Sequence, residues 1–282
     1  MLLKEKFVFL KNFTWRIVSY HLKRGNFKNS MKLFIDTANL EDIEWGLRAG
    51  FVRGVTTNPS LLAKEPKGNY LAHLGKIVDL MNEHVPPSQR DGFSLSVEVF
   101  SDEPKEMVRQ ATEFSNTLKW KDLAVKVHID HNGKENLAVI HELAKRNIAV
   151  NATACMTVYQ ALAAAAAGAR YVSLFWGRIR DGGTDDKFFV ERNQYLESKK
   201  IRMNDFDPSV AVRETRDFLD RNYPNAEIIA GSIRAPLDVK DAGLAGAHIV
   251  TVQPKTLRAM LGHFKTDEVV DQFFNDFKAW LS

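Results

Sequence analysis

Short runs of apolar residues alternate with longer amphipathic stretches from Lys32 to the end of the chain. The runs have the length of β-strands, and the stretches between them repeat apolar residues at helical spacing. Eight strands are predicted in this way: Lys32–Asp36, Gly54–Thr57, Ser94–Val99, Leu123–His128, Ile148–Thr153, Tyr171–Phe175, Glu227–Gly231 and His248–Val252. Because a helix returns the chain to the start of each following strand, the strands are expected to be parallel.

The helical stretches complete a repeating strand–helix pattern. They are Leu40–Ala49, Tyr70–Glu83, Glu103–Leu118, Lys134–Arg146, Val158–Ala167, Pro208–Asn222, Pro236–Ala245, Lys255–Gly262 and Asp267–Leu281. Gly168 follows the fifth helix at the position where a left-handed residue commonly ends one. The pattern predicts a single-domain α/β fold, the TIM (β/α)8 barrel. A doubly wound open sheet is the alternative, but no glycine-rich phosphate loop follows the first strand.

Two segments interrupt the repeat. Pro86–Gly92 is polar and rich in turn residues, and Ile179–Asp207 is long, charged and follows the sixth strand. Since the segments that follow the strands of a barrel lie on its catalytic face, the second is a candidate lid or acceptor-site element.

The composition of the 282-residue chain, with 45% apolar and 26% charged residues, is that of a globular protein. The single cysteine, Cys155, excludes an internal disulfide and favours a reducing compartment, so we expect a cytoplasmic protein. The eight histidines show no spacing typical of metal ligands. We therefore expect neither a metal centre nor a cofactor.

Residues 1–30 stand apart from the rest. They carry seven basic residues and one acidic residue, so residues 31–282 carry a net charge of −2 although the whole chain carries +4. The basic charge therefore gives no support for nucleic-acid binding by the main body. We predict a basic N-terminal extension over 1–30, upstream of a start at Met31, and the barrel over 31–282. A targeting or surface segment and a helix packed on the barrel are alternatives. The apolar stretch within it is too short and too charged to span a membrane.

Polar or ionisable side chains stand at the C-terminal ends of seven consecutive predicted strands. In chain order they are Asp36, the segment Thr56-Thr57-Asn58-Pro59-Ser60, Glu98, Lys126, Asn151 with Thr153, Ser173 with Arg178, and Ser232 with Arg234. Singly, they have structural interpretations as a helix cap, a turn, an ion-pair partner or surface residues. Together they predict one pocket, because the strand ends of a barrel meet at one face.

Lys126 is the most informative of these residues. It lies between Val125 and Val127 in an apolar strand, where lysine is rarely buried without a reason. An apolar environment in general disfavours an ammonium ion, so the neutral amine becomes available to attack a carbonyl. The resulting iminium permits cleavage of the adjacent carbon–carbon bond. Asp36 and Glu98 supply carboxylates for the proton transfers.

The motifs around these residues make a resemblance specific. LFIDTANL, GVTTNPSLLAKE, LSVEVF, VKV, VNATACMT, YVSLFWGRI, AGSIRAP and HIVTVQPK occur in this order from residue 33 onward. In them the chain resembles the transaldolase family, including the members related to fructose-6-phosphate aldolase. The resemblance implies a TIM barrel with a Schiff-base lysine on the fourth strand, which is Lys126 here.

The resemblance also implies a role for each site residue and a phosphorylated sugar as substrate. Lys126, Asp36, Glu98 and Thr153 would be catalytic, the last two positioning water and moving protons. Asn58, Asn151 and Ser173 would bind the dihydroxyacetone part, with Thr56 and Phe175 beside them. Arg178, Ser232 and Arg234 would bind phosphate, for which a guanidinium fork is suited.

Two positions favour a transferase over a simple aldolase. Fructose-6-phosphate aldolases typically have Gln at the position of Glu98 and Tyr at that of Phe175. The chain departs from the family in Ala154–Thr157 and in VSLFWG, so the acceptor pocket is less well predicted than the Schiff base. A relative specific for another ketose, such as a sulfonated sugar, and a catalytically silent barrel used for binding remain alternatives.

The C-terminal segment has a regular aromatic pattern. Phe273, Phe274, Phe277 and Trp280 recur at helical spacing. We expect them to pack on the barrel. The family resemblance allows two alternatives, a contact with another copy in a homo-oligomer and a position over the mouth of the active site.

Overall fold

The structure, a computed structural model, describes residues 30–282. The predicted extension over 1–30 lies, except for Ser30, outside the described residues. Ten strands are found in the described range: β1 Lys32–Asp36, β2 Gly54–Thr56, β3 Ser94–Glu98, β4 Leu123–His128, β5 Asp130–His131, β6 Lys134–Glu135, β7 Ala149–Cys155, β8 Tyr171–Phe175, β9 Glu227–Gly231 and β10 Ile249–Val252.

Eight of these strands close into a barrel, in the order β1-β10-β9-β8-β7-β4-β3-β2. Every neighbouring pair is parallel, and β1 pairs with both β2 and β10. The predicted single-domain TIM (β/α)8 fold is therefore confirmed, and the open sheet is excluded. Three predicted strands are one residue too long at an end, and the fifth lies later than predicted, at Ala149–Cys155.

The helices surround the barrel. In residues 30–282 they are α1 Leu40–Arg48, α2 Pro59–Leu62, α3 Tyr70–His84, α4 Pro104–Leu118, α5 Leu137–Lys145, α6 Val158–Ala166, α7 Trp176–Thr184, α8 Phe189–Glu197, α9 Pro208–Asn222, α10 Pro236–Leu244, α11 Pro254–Ala259 and α12 Phe264–Leu281. Gly168 has a φ of 106° just beyond α6, as predicted for the residue that ends this helix.

The predicted helix Lys134–Arg146 is wrong over its first three residues. Strands β5 and β6 form an antiparallel hairpin there, and helix α5 begins only at Leu137. Asn132 and Gly133 connect the two strands with φ angles of 54° and 75°. Positive φ at both central residues is the conformation that an Asn-Gly pair adopts in a two-residue hairpin.

The two interrupting segments are more regular than the sequence indicated. Ile179–Asp207 contains most of α7, all of α8 and two short 3-10 helices, Asp186–Phe188 and Met203–Phe206. Pro86–Gly92 contains the 3-10 helix Pro87–Gln89.

Apolar side chains fill the barrel and the space between barrel and helices. A small cluster inside the barrel is formed by Phe34, Ala124, Tyr171, Ile229 and Ile249, with Ala149 packed against it. A much larger cluster joins the outer faces of the strands to the helices. The interior is thus a packed core that supports the C-terminal strand ends.

Helix α12 contradicts the expectation that its aromatic residues pack on the barrel. It has no buried residue, and Trp280 is 78% exposed. Its exposed apolar side chains are Phe264, Val269, Val270, Phe273, Phe274, Phe277, Trp280 and Leu281. Among the described helices, neither this one nor any other has the length and apolar character needed to cross a membrane.

Candidate active site

Ten of the twelve predicted site residues line one cavity of about 460 Å³ at the C-terminal ends of the strands. They are Asp36, Thr56, Asn58, Glu98, Lys126, Thr153, Ser173, Phe175, Arg178 and Ser232. The structure does not place Asn151 and Arg234 in this lining. A cavity of this size accommodates a small metabolite.

Lys126 reaches into the cavity from β4. It is only 6% exposed, and its Nζ donates a hydrogen bond to the carbonyl oxygen of Thr57 at 2.6 Å. In the strand register it lies between Glu98 on β3 and Asn151 on β7. The Lys126 amine thus lies in the cavity wall, between a carboxyl and an amide side chain of the neighbouring strands.

Asp36 ends β1 and is oriented by a chain of hydroxyl groups. The Thr56 hydroxyl donates to its Oδ1 at 2.6 Å, and the hydroxyl groups of Thr56 and Thr251 are 2.5 Å apart. Burial raises the pKa of the Asp36 carboxyl, although the charge of Lys126 and the Thr56 hydrogen bond lower it in part. The alternative that Asp36 caps the first helix is wrong, because the Asn39 side chain accepts the hydrogen bond from Asp42 N.

Glu98 ends β3, and Tyr70 holds its backbone. The Tyr70 hydroxyl lies 3.2 Å from both the amide nitrogen and the carbonyl oxygen of Glu98. Burial raises the pKa of the Glu98 carboxyl, the charge of Lys126 lowers it and that of Asp36 raises it further. The two carboxylates and the lysine thus influence one another electrostatically within one cavity.

A break in the β7–β8 register brings Thr153 into the lining. The pairing shifts between Ala152 and Cys155, and Ala154 has a φ of 60°. A bulge of this kind bends its strand and changes the direction of a side chain. Cys155 is buried beneath it, and burial raises the pKa of its thiol to about 12.

The two predicted asparagines have different surroundings. Asn58 lines the cavity and also caps α2, since its Oδ1 accepts a hydrogen bond from Leu61 N at 3.0 Å. Asn151 is completely buried, donates to Ser96 Oγ at 3.2 Å and accepts from Ser173 Oγ at 2.7 Å. It therefore supports Ser173 from behind the cavity wall.

The predicted anion-binding residues meet between β8, α7 and the segment after β9. Arg178 and Ser232 line the cavity, whereas the Arg234 guanidinium makes two hydrogen bonds to Asp181, one of 2.8 Å. Arg178 lies 3.9 Å from the same carboxylate. Asp181 thus holds Arg234 at the edge of the cavity in a bidentate ion pair.

The close approach of α7 to the segment after β9 depends on Gly177. A Cβ atom at Gly177 would lie 2.7 Å from the Ser232 carbonyl oxygen and 2.7 Å from Arg234 Nε. The Gly177 amide also donates to that carbonyl at 3.2 Å. Ser232 itself has a φ of 58°, so the chain turns sharply here.

Four polar residues of the lining were not predicted. Thr251 and Gln253 belong to the last strand end, Lys64 follows α2, and His128 lies two residues after Lys126 on β4. Applying the strand-end rule to the eighth barrel strand would have found the first two, and His128 points to the same side of β4 as Lys126.

A larger cavity of about 970 Å³ borders this one. The two share Pro59 and Glu98, but the larger is lined mainly by residues of α1 and α3 and by the segment between α2 and α3. Lys126 and Asp36 face only the smaller cavity. The predicted lysine and the Asp36 carboxyl therefore lie together at the smaller cavity.

Comparison with known proteins agrees with this architecture. The profile of the family described as transaldolase/fructose-6-phosphate aldolase matches residues 33–281. A probable transaldolase of Dehalococcoides mccartyi is 35% identical over 250 residues, which cover 88% of this chain and 99% of that protein. Probable transaldolases of Oceanobacillus iheyensis and Symbiobacterium thermophilum are 35% and 34% identical over 249 residues, covering 88% of this chain and 99% and 98% of theirs.

The matches extend over nearly all of the barrel and include every strand that contributes to the cavity. The chain therefore belongs to the transaldolase/fructose-6-phosphate aldolase family.

Proposed function

We propose that the protein is a transaldolase acting through a Schiff base at Lys126. It would transfer a dihydroxyacetone unit from a ketose phosphate, such as sedoheptulose 7-phosphate or fructose 6-phosphate, to an aldose phosphate, such as glyceraldehyde 3-phosphate or erythrose 4-phosphate. This reaction belongs to the non-oxidative pentose phosphate pathway. The observation that carries the proposal is the buried Lys126 amine facing the same cavity as the carboxylates of Asp36 and Glu98.

The first half of the reaction forms and cleaves the Schiff base. The Lys126 amine attacks the ketose C2 carbonyl, and loss of water gives an iminium. Asp36 then removes the proton of the C4 hydroxyl, the C3–C4 bond breaks, and its electrons pass into the iminium to form an enamine. The shortened aldose phosphate leaves. The raised pKa of Asp36 suits this role, because burial makes the carboxylate a stronger base for the hydroxyl proton than an ordinary aspartate.

The second half reverses these steps with a new aldehyde. The enamine attacks the acceptor carbonyl, Asp36 returns its proton to the new hydroxyl, and water hydrolyses the iminium to free Lys126. Glu98 and Thr153 would position this water and move its protons. Arg178 and Ser232 would bind the phosphate, with Arg234 at the edge of the site.

Phe175 and Glu98 favour transfer over simple aldol cleavage. Phe175 lines the cavity and has no hydroxyl group with which to protonate the enamine or to orient water toward it. The enamine would therefore persist until an aldehyde arrives.

Reductive trapping tests the Schiff base. The full chain is incubated with fructose 6-phosphate, reduced with borohydride and digested, and the adduct is located by mass spectrometry. Lys64 gives a matched control, because it is a second lysine of the same lining. We expect the adduct at Lys126, its loss in Lys126→Met and its retention in Lys64→Met. Either of two other results would contradict the proposal: an adduct at Lys64 would place the Schiff base at another lysine, and no adduct at all would favour a silent barrel.

A transfer assay tests the reaction class. With fructose 6-phosphate and erythrose 4-phosphate we expect sedoheptulose 7-phosphate, and little free dihydroxyacetone when the acceptor is omitted. Rapid release of dihydroxyacetone without acceptor would indicate an aldolase. An adduct at Lys126 without either product would indicate another ketose, for instance a sulfonated one.

A further inference from the structure

Three potential metal ligands meet at the rim of the catalytic cavity. Asp102 comes from the segment between β3 and α4, His128 ends β4, and His131 ends β5 of the hairpin. One ligand atom from each lies within 4.8 Å of the other two. The sequence spacing did not indicate this cluster, because the hairpin that brings His131 to the other two was predicted as loop and helix.

Two distances within the cluster are close to those between ligand atoms of one metal ion. His131 Nδ1 lies 3.2 Å from Asp102 Oδ2, and His128 Nε2 lies 3.6 Å from Asp102 Oδ1. Zinc bonds of about 2.0–2.2 Å at tetrahedral angles place ligand atoms roughly 3.4 Å apart. The two imidazole rings are nearly perpendicular, at 89°, with centroids 6.0 Å apart.

The backbone that carries the histidines is firmly held. Asn136 donates its side-chain amide to the His128 carbonyl at 3.0 Å, and its backbone amide donates to Ile129 at 3.0 Å. Asn132 and Gly133 fix the turn after His131. The two histidines therefore come from strands of a defined hairpin region, which lowers the entropy cost of assembling them around an ion.

The charges around the cluster favour a cation. Asp130 adds a negative charge near His128. Asn132 lies 3.2 Å from His131 Nε2. A flip of its amide would present a carbonyl oxygen to that N–H when Nδ1 binds the ion, the arrangement typical of metal-binding histidines.

We propose that Asp102, His128 and His131 bind a divalent transition-metal ion of the Zn²⁺ type. Two imidazoles and a carboxylate are the ligand set of zinc sites that keep at least one position for water or a substrate oxygen. His128 lines the cavity that contains Lys126, so the proposed metal site adjoins that cavity. The site is separate from the residues of the proposed transaldolase reaction and does not depend on that reaction.

Metal titration of the full-length, tag-free protein tests the site. After treatment with a chelator, Zn²⁺ binding is measured by competition with an indicator, and Co²⁺ is added as a visible-absorption probe of nitrogen and oxygen ligands. We expect one Zn²⁺ per chain, a rise of the melting temperature Tm with added Zn²⁺, and a Co²⁺ absorption band.

Three variants connect this binding to the cluster. His131→Ala and Asp102→Asn change exposed side chains, and circular dichroism checks that both variants fold. His141→Ala is the matched control, because it removes another exposed histidine from α5. We expect at least about tenfold weaker Zn²⁺ binding in the first two variants and none of this loss in the control. Any other result overturns the proposal and leaves Asp102 and the histidines as surface ion pairs.

Discussion

The two half-buried carboxylates of the cavity lower the stability of the fold. Asp36 and Glu98 both have a raised pKa, and burial is the largest cause in each case. A raised folded-state pKa means that the folded protein binds the proton more tightly than the unfolded chain does. Ionisation of these groups therefore costs folding free energy. The cost is absent below the unfolded pKa near 4 and complete above the raised folded pKa.

Neutral replacements should relieve this cost. We expect Asp36→Asn and Glu98→Gln to raise the Tm near pH 8, by roughly 2–4 °C for each kcal/mol relieved. The gain should decrease as the pH falls through the raised pKa values and vanish near pH 4. Melting curves from pH 4 to 8 measure it, with Glu214→Gln on the exposed face of α9 as control. A gain that is independent of pH would show that ionisation is not the cause. Transfer activity should be lost in both variants.

Phe175 gives a test of transferase character. We expect Phe175→Tyr to increase release of free dihydroxyacetone from fructose 6-phosphate when no acceptor is present, because a phenol can protonate the enamine or orient water. Phe175→Leu removes the ring without adding a hydroxyl and should not increase this release. Product formation without acceptor is measured by a coupled assay. Equal release by both variants would show that the hydroxyl group is not what distinguishes the two reactions.

At the residue scale, the strand-end rule predicted from sequence most of the polar residues that line the cavity. Polar groups such as Asp36 and Lys126 stand out because the neighbouring strand positions are apolar. The rule did not show that Asn151 lies behind Ser173, nor that Arg234 pairs with Asp181. Those outcomes depend on side-chain packing between segments far apart in sequence, which residue spacing does not encode.

At the element scale, regular elements were predicted well and their connections poorly. Strands β1, β4, β8 and β9 match the prediction at both ends, because long apolar runs mark them clearly. The hairpin after β4 was missed, although Asn132-Gly133 is a strong hairpin signal. The polar residues after this pair were assigned to the start of a helix. The position of His131 was therefore not predicted.

The junction of α7 with the Ser232–Arg234 segment yields a prediction about substrate binding. Gly177→Ala places a methyl group 2.7 Å from the Ser232 carbonyl oxygen, so that segment must move. We expect KM for the phosphorylated donor to rise roughly tenfold or more, since small displacements of binding groups are costly. The loss in kcat should be smaller. Steady-state kinetics with fructose 6-phosphate measure both constants.

Gly75→Ala is the matched control for this change. A Cβ atom at Gly75, within α3, would meet nothing within 4 Å. This variant should have the same KM as the protein without substitutions. Its free energy of unfolding should increase by about 0.5–1 kcal/mol, as expected for alanine in place of glycine in a helix. An unchanged KM in Gly177→Ala would mean that the Ser232–Arg234 segment does not bind the donor.

At the scale of the whole molecule, the sequence predicted the closed barrel, but the prediction that the last helix packs on it was wrong. The strand–helix repeat indicates closure because eight such units suffice for a barrel. Helix α12 has apolar residues at helical spacing, which was interpreted as packing on the barrel. A periodic apolar stripe shows that a helix is amphipathic, and it does not identify the surface that covers the stripe.

The exposed stripe of α12 predicts self-association of the chain. Val270, Phe273, Phe277 and Trp280 form one face, while acidic and basic residues such as Asp271 and Lys278 follow the other. An exposed apolar face of this extent is typical of an interface between proteins, and among the described residues none buries it. We expect a mass that is a multiple of 32.0 kDa by sedimentation velocity, and a smaller mass for the double variant Phe277→Glu with Trp280→Glu.

Leu244→Glu separates this effect from a general loss of surface hydrophobicity. Leu244 ends α10 and is 79% exposed, as much as Trp280, but does not belong to the stripe. It should leave the mass unchanged because one isolated apolar residue on a surface needs no partner. If the protein without substitutions is a monomer, or if the double variant has the same mass as that protein, the stripe does not join two copies. If the masses change as expected, two copies of the chain meet through the stripe and not through the wall of the barrel. The charged residues on the opposite face of α12 favour contact with solvent.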